Sequence, residues 1–165
     1  MQRTQVEIRP TRPDDEERVR AFLLGLSLHT QTHRFFAGLT RPSASMLRAL
    51  LARDERRDAL VAVSEGRVVG HAMACRDGLD VEIAVVVTDE WQNVGVGSRL
   101  VRTLLRRVTG AEWVSMDVLG ENRRVLAMIR RAWPDAVMTV ESGSVQVRAE
   151  LTFAEQGSVA SPLRV

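Results

Sequence analysis

A chain of 165 residues, 45% hydrophobic and 27% charged, has the size and composition of one globular domain and is poorly suited to wholesale disorder. No apolar run approaches the roughly 18 residues a membrane helix needs, and the first residues lead into no apolar signal segment. A single cysteine, Cys75, excludes an internal disulfide, and a reducing, cytoplasmic setting is the expectation.

The formal net charge is only +2, yet the isoelectric point is 9.8. Every basic residue is arginine, and the chain has no lysine and no tyrosine. Above neutrality little titrates before arginine except the α-amino group, Cys75 and the tails of three histidines. The isoelectric point therefore drifts upward without a large charge behind it, and no nucleic-acid or membrane partner is expected.

Val6-Glu7-Ile8 reads as a first strand. A Pro-rich turn follows, and Asp14 to Glu17 place acids in the first turn of a helix that carries Val19, Phe22, Leu23 and Leu26 at helical spacing. Ser27 to Thr40 reads as an irregular loop with a short helical piece around Arg34-Phe35-Phe36. Ser43 or Ser45 can cap a second helix with Met46, Leu47, Leu50 and Leu51 on its buried face. Ala59 to Val63 and Val68 to Cys75 form a hairpin around Glu65-Gly66-Arg67. Val81 to Val87 is nearly all apolar and reads as a central strand buried on both faces. Leu100 to Val108 is the third predicted helix, Trp113 to Val118 a strand, and Asn122 to Trp133 the fourth helix, stopped by Pro134. Ala136 to Val140 and Val145 to Leu151 close the chain as a hairpin. The expected architecture is a single-domain α/β fold, a mixed central sheet with about four helices, in the order β-α-α-β-β-β-α-β-α-β-β. It is expected to span residues 1–152, with 153–165 as a flexible tail.

The stretch that carries chemistry is Val85-Val86-Val87-Thr88-Asp89-Glu90-Trp91-Gln92-Asn93-Val94-Gly95-Val96-Gly97-Ser98. A buried strand runs into a glycine-punctuated loop that opens a helix. Successive N–H groups at a helix start lack internal partners and suit an anion. Gly95 and Gly97 let a phosphate approach the backbone. A Walker A loop is excluded because the chain has no lysine, and the dinucleotide fingerprint lacks its third glycine.

Gln92-Asn93-Val94-Gly95-Val96-Gly97 resembles the Gln/Arg-x-x-Gly-x-Gly/Ala signature of the GNAT superfamily of N-acetyltransferases, and the element order over residues 6 to 151 matches too. The resemblance implies that the backbone from Gln92 through Asn93, Val94, Gly95, Val96 and Gly97 to Ser98 cradles the pyrophosphate of acetyl-CoA. Pantetheine would lie beside the fourth strand, paired with the backbone of Val85 and Val87. An N–H of Val86 or Val87 would polarise the thioester carbonyl, and Asn122 would contact the cofactor. The implied reaction is direct attack of a primary amine on the thioester. Leu26-Ser27-Leu28-His29-Thr30 with Arg34-Phe35-Phe36 resembles bacterial protein-lysine acetyltransferases of this superfamily, so the acceptor is a small-molecule amine or a protein lysine.

An amine attacks only when neutral, and Glu82, a lone carboxylate in an apolar strand, is the candidate base, with Asp80 the weaker one. Arg99 or Arg102, and Arg123 or Arg124, are candidates for a CoA phosphate. Many members carry a tyrosine in the fourth predicted helix to protonate the thiolate; the matching position here is Ile129. The alternative reading is therefore a catalytically weak acyl-CoA-binding or regulatory domain. His29 and His33 stand four apart but find no third ligand, and no metal is expected. His71 reads as a structural histidine and Cys75 as a small buried filler. The chain is expected to be a monomer or homodimer.

Overall fold

The computed structural model describes residues 4–35 and 41–151. Seven strands form one mixed sheet: β1 (Glu7–Pro10), β2 (Arg57–Ser64), β3 (Arg67–Asp77), β4 (Asp80–Val87), β5 (Trp113–Leu119), β6 (Val137–Glu141) and β7 (Ser144–Glu150). Their spatial order is β1-β2-β3-β4-β5-β7-β6, so β4 stands at the centre. Only the β4–β5 pair is parallel; all other neighbours are antiparallel. Five helices accompany the sheet: α1 (Glu16–Leu24), α2 (Leu28–Phe35), α3 (Ala44–Leu51), α4 (Val96–Arg107) and α5 (Arg123–Ala132).

The element order departs from expectation at one place. Residues 28–35 form a full helix rather than a loop with a short helical piece around Arg34, so the predicted third and fourth helices are α4 and α5. Ser27 Oγ accepts the backbone N–H of Thr30 and starts α2, yet its buried residues are the polar Thr30 and Gln31 while Leu28 is exposed. A helix with no apolar stripe leaves no 3.6-residue hydrophobic signal to read.

The sheet separates two cores. Leu60, Ala62, Val81, Ile83, Val114 and Ala149 pack with Leu100, Val101, Leu104 and Leu105 of α4. Val118, Val145 and Val147 lie on that same face by strand alternation and pack with Leu126 and Ile129 of α5. The intervening residues Val61, Val68 and Val86 point to the opposite face and meet Val19, Phe22 and Leu23 of α1 and Leu47 and Leu50 of α3. Gly70 of β3 sits under α4: a Cβ there would come within 2.9 Å of Leu100 Cδ1 and 3.3 Å of Ala62 Cβ. Glycine therefore lets α4 seat closely on the sheet.

Two polar groups anchor the α1/α3 side of the sheet. Asp15 is fully buried at the start of α1 and receives both Arg9 Nη1 and Nη2, at 2.7 and 2.8 Å, and the backbone N–H of Arg12 at 2.8 Å. The Arg9 guanidinium holds the Asp15 carboxyl below the usual carboxylate range. Asp15→Ala leaves that guanidinium, 12% exposed, without its partner. Such a break costs about 3 to 5 kcal/mol, a loss that a denaturant midpoint will register.

His71 of β3 is 1% exposed, and its Nε2 donates to the carbonyl of Leu50 in α3 at 2.7 Å. Burial lowers its pKa from 6.5 to about 4. The unfolded chain thus takes up this proton first on acidification, and the stability the neutral ring contributes is present above pH 6.5 and lost as pH falls towards 4. That window corresponds to about 3 kcal/mol. Denaturant titrations at pH 7.5 and 4.5 should show the slope, and His71→Asn should flatten it.

Candidate active site

β4 and β5 do not run side by side for long. Their register pairs Asp80 with Trp113, Val81 with Val114 and Glu82 with Ser115, and then stops. β4 continues along β3 to Val87, while β5 continues along β7 to Leu119. The two central strands therefore fork after Glu82. Thr88 donates its backbone N–H to Val69 of β3 at 2.9 Å, which fixes the alternation along β4. The N–H of Val86 turns to the same β3 edge, and those of Val85 and Val87 turn into the fork. This corrects one part of the expectation: Val86 lines the cleft but its N–H faces β3, so of the two candidates for polarising a carbonyl only Val87 faces the fork.

A single cleft of about 630 Å³ runs along this fork. It collects Glu82, Val85, Val86 and Val87 from β4, Gln92, Asn93, Gly95, Gly97 and Ser98 from the loop and α4, and Asn122, Arg123 and Arg124 at the start of α5. Val94 and Val96 of the motif do not line it; they pack into the α4 core. The cleft is roofed by His29, Thr30, His33 and Arg34 of α2.

The loop is shaped for an anion. Asn93 and Gly95 adopt positive φ of 65° and 89°, a region that asparagine tolerates and glycine enters freely. Gly95 is the N-cap of α4 and no side chain caps the helix. Arg99 donates its N–H to Gly95, so the helix bonds begin there and the N–H groups of Val96, Gly97 and Ser98 have no partner within the helix. Ser98 Oγ is itself buried, in a residue 7% exposed, without a hydrogen-bond partner. An orphaned hydroxyl beside uncapped N–H groups on a cleft wall fits an oxyanion of the size of a phosphate.

Gln92 has a different duty from its neighbours. Its Nε2 donates to Val87 O at 2.9 Å and to Thr30 Oγ1 at 3.1 Å. Thr30 Oγ1 in turn donates to Asp89 Oδ1 at 2.9 Å. The Ser27 and Thr30 hydroxyls hold the Asp89 carboxyl below the usual carboxylate range. This network ties α2 to the end of β4 and to the loop. On the far arm of the fork, His33 Nε2 stands 3.5 Å from Glu121 Oε1. Thus α2 spans the cleft, tied by hydrogen bonds on the β4 side and placing His33 beside Glu121 on the other.

Several candidates fall elsewhere. Glu82 reaches the cleft at the branch point of the fork, but its side chain is exposed rather than buried. Asp80 is engaged by Arg148 at 3.0 Å and does not line the cleft. Arg99 donates to the carbonyl of Val6 at 3.2 Å and holds β1 rather than facing the cleft, and Arg102 is not in the lining. Cys75 is exposed, not a buried filler. Phe35 packs against the α1/α3 core, and Phe36 lies outside the described residues. Ile129 is buried and lines the cleft, so an apolar side chain occupies the tyrosine position. Among the described residues, no group of three His, Cys, Asp or Glu side chains is placed to hold a metal.

The sequence profile of the acetyltransferase (GNAT) family matches residues 26–132, the span from the roof of the cleft through α5. The chain belongs to the GNAT acetyltransferase family. Within that family it is similar to acetyltransferase PA5475 of Pseudomonas aeruginosa, 35% identical over 108 residues. That match covers 61% of this chain and 58% of the relative, so the chain spans less than two thirds of that protein. The GNAT domain of S. lividans PAT superposes with a TM-score of 0.79 at 25% identity, covering 88% of this chain and 90% of that one. A GNAT-family acetyltransferase of Streptococcus pneumoniae superposes at 0.72 with 18% identity over 88% and 99% of the two chains, a likeness of fold. No described helix of this GNAT protein is long and apolar enough to cross a membrane.

Proposed function

We propose that the protein is an acetyl-CoA-dependent N-acetyltransferase that acts on a primary amine by direct transfer. The observation that carries this reading is the continuity of the cleft: the uncapped start of α4, with the orphaned Ser98 hydroxyl, opens into the fork between β4 and β5, and Glu82 stands at the branch point. Family membership supports it.

Acetyl-CoA supplies a thioester that a neutral amine attacks directly. The N–H groups of Gly97 and Ser98 and the Ser98 hydroxyl receive the pyrophosphate, and the helix dipole adds favourable potential there. Val85 and the N–H of Val87 face the fork and suit an extended amide-bearing arm, as a missing strand would, while the Val87 carbonyl is held by Gln92. The Val87 N–H is placed to support negative charge on a carbonyl oxygen. Asn122 and Arg123 border the opposite wall. Glu82 takes a proton from the acceptor ammonium, directly or through water, and so yields the neutral amine that attacks, a role its exposure permits. No side chain at position 129 can protonate the departing thiolate, so it leaves unassisted or takes its proton from water.

The test is a two-substrate assay. CoA thiol should appear only when acetyl-CoA and an amine are both present, with acetyl-amine found by mass spectrometry. Binding of acetyl-CoA with no transfer across a broad panel of amines, lysine peptides included, would instead favour a regulatory acyl-CoA-binding domain. The apolar Ile129 is the observation behind that second reading.

A further inference from the structure

Arg34 is an unusual resident of the cleft. It projects from α2 and lines the cavity together with Glu82. Its Nε is buried without a hydrogen-bond partner, its Nη2 lies 3.3 Å from Met73 Sδ, and its guanidinium stands 4.6 Å over the Phe35 ring. Burial lowers its pKa to about 10, against which the nearby charge of Glu82 acts. Among the described residues no carboxylate forms an ion pair with it. A cation held largely out of water without an anion in contact is costly. Here a positive and a negative side chain share one cavity, near enough to sense each other, yet not joined.

We infer that the acceptor is a zwitterion, an α-amino acid, whose carboxylate is met by Arg34 while its amine is met by Glu82. This rests on the acetyl-transfer reading and deepens it. The two side chains carry the charges complementary to those of such a molecule and line the same cleft. Bidentate recognition of a carboxylate is what guanidinium geometry favours. An amine without a neighbouring carboxylate leaves Arg34 unsatisfied in the complex, as it is in the free protein. Arg34 is thus a specificity residue, and Glu82 keeps its role as base. The ammonium gives one proton to Glu82 and the neutral nitrogen attacks; the amide C–N bond forms as the thioester C–S bond breaks, CoA departs as the thiolate, and the second nitrogen proton goes to water or to that thiolate.

The experiment compares three sets of acceptors that share side chains: L-amino acids, their amides, and the amines that lack the carboxyl carbon. Initial rates with acetyl-CoA give kcat/KM for each. Calorimetry of the same compounds against CoA-loaded protein gives affinity without turnover. The amino acids should exceed their amides by about 10- to 100-fold, as expected for a charge-assisted contact. The difference should sit in KM and in Kd. Arg34→Met should collapse the preference, and Arg34→Lys should restore part of it; a thermal melt checks that each variant folds. Amides or plain amines used as well as the acids by the wild-type protein would overturn the inference by themselves. Equal loss on all three sets in the variants would also overturn it, since Arg34 would then act only through Glu82. Should no acceptor turn over, the binding arm decides: tighter binding of acids than amides supports the zwitterion site, and equal or absent binding overturns it. Failure of acetyl transfer is read separately, from CoA release and CoA binding.

Discussion

Ser98→Asp is expected to abolish tight binding of CoA while leaving the fold intact. Ser98 is the third residue of α4, and its hydroxyl is buried without a partner at the mouth of the cleft. A carboxylate at that position is favourable for the helix by itself, because the macrodipole stabilises acids in the first turn by about 0.3 to 1 kcal/mol. It is unfavourable only if an anion must come to the same N–H groups. At an effective dielectric of about 20, two unit charges about 5 Å apart repel by about 3 kcal/mol. That is roughly a 100-fold rise in Kd. The melting temperature and the affinity should therefore move independently. Ser98→Ala removes one hydroxyl donor and should weaken binding by no more than about tenfold. Unchanged CoA affinity in a folded Ser98→Asp protein would remove the pyrophosphate from the start of α4.

Glu82→Gln should lower kcat by about 100- to 10,000-fold, the usual contribution of a positioned general base. The substitution preserves shape at the branch point of the fork, and Glu82 is not part of the loop that receives phosphates. CoA affinity should consequently stay within a factor of about two. Normal turnover in Glu82→Gln would assign the proton to water alone.

Much of this was legible because the relevant segments carry strong local signals. β4 is a run of apolar, β-branched residues between two turns, and α4 and α5 have clear apolar stripes. The loop between β4 and α4 announces itself through Gly95 and Gly97. What stayed hidden depended on partners distant in the chain. Arg99 bonds a carbonyl 93 residues away, and Asp80 meets Arg148. The exposure of Glu82 and the fork that begins after it depend on where β5 stops pairing and on what covers the sheet face, neither of which an apolar run reveals. α2 was missed because its buried side chains, Thr30 and Gln31, are polar. Their burial is explained by the hydrogen bonds of Thr30 to Asp89 and Gln92, and of Gln31 Nε2 to Leu23 and Leu26 carbonyls. The one local clue was Ser27, three residues before Thr30, as a helix start. Arg34 owes its place in the cleft to α2, which roofs it.

The central claim is that one cleft holds the pyrophosphate at α4 and the pantetheine arm in the fork. Isothermal calorimetry with CoA, and with pantetheine lacking the phosphates, tests it most directly. CoA should bind with Kd at or below the order of tens of micromolar, and pantetheine at least about tenfold more weakly, since it lacks the phosphates that the helix start favours. No heat from CoA at such concentrations, or equal affinity for both compounds, would contradict it.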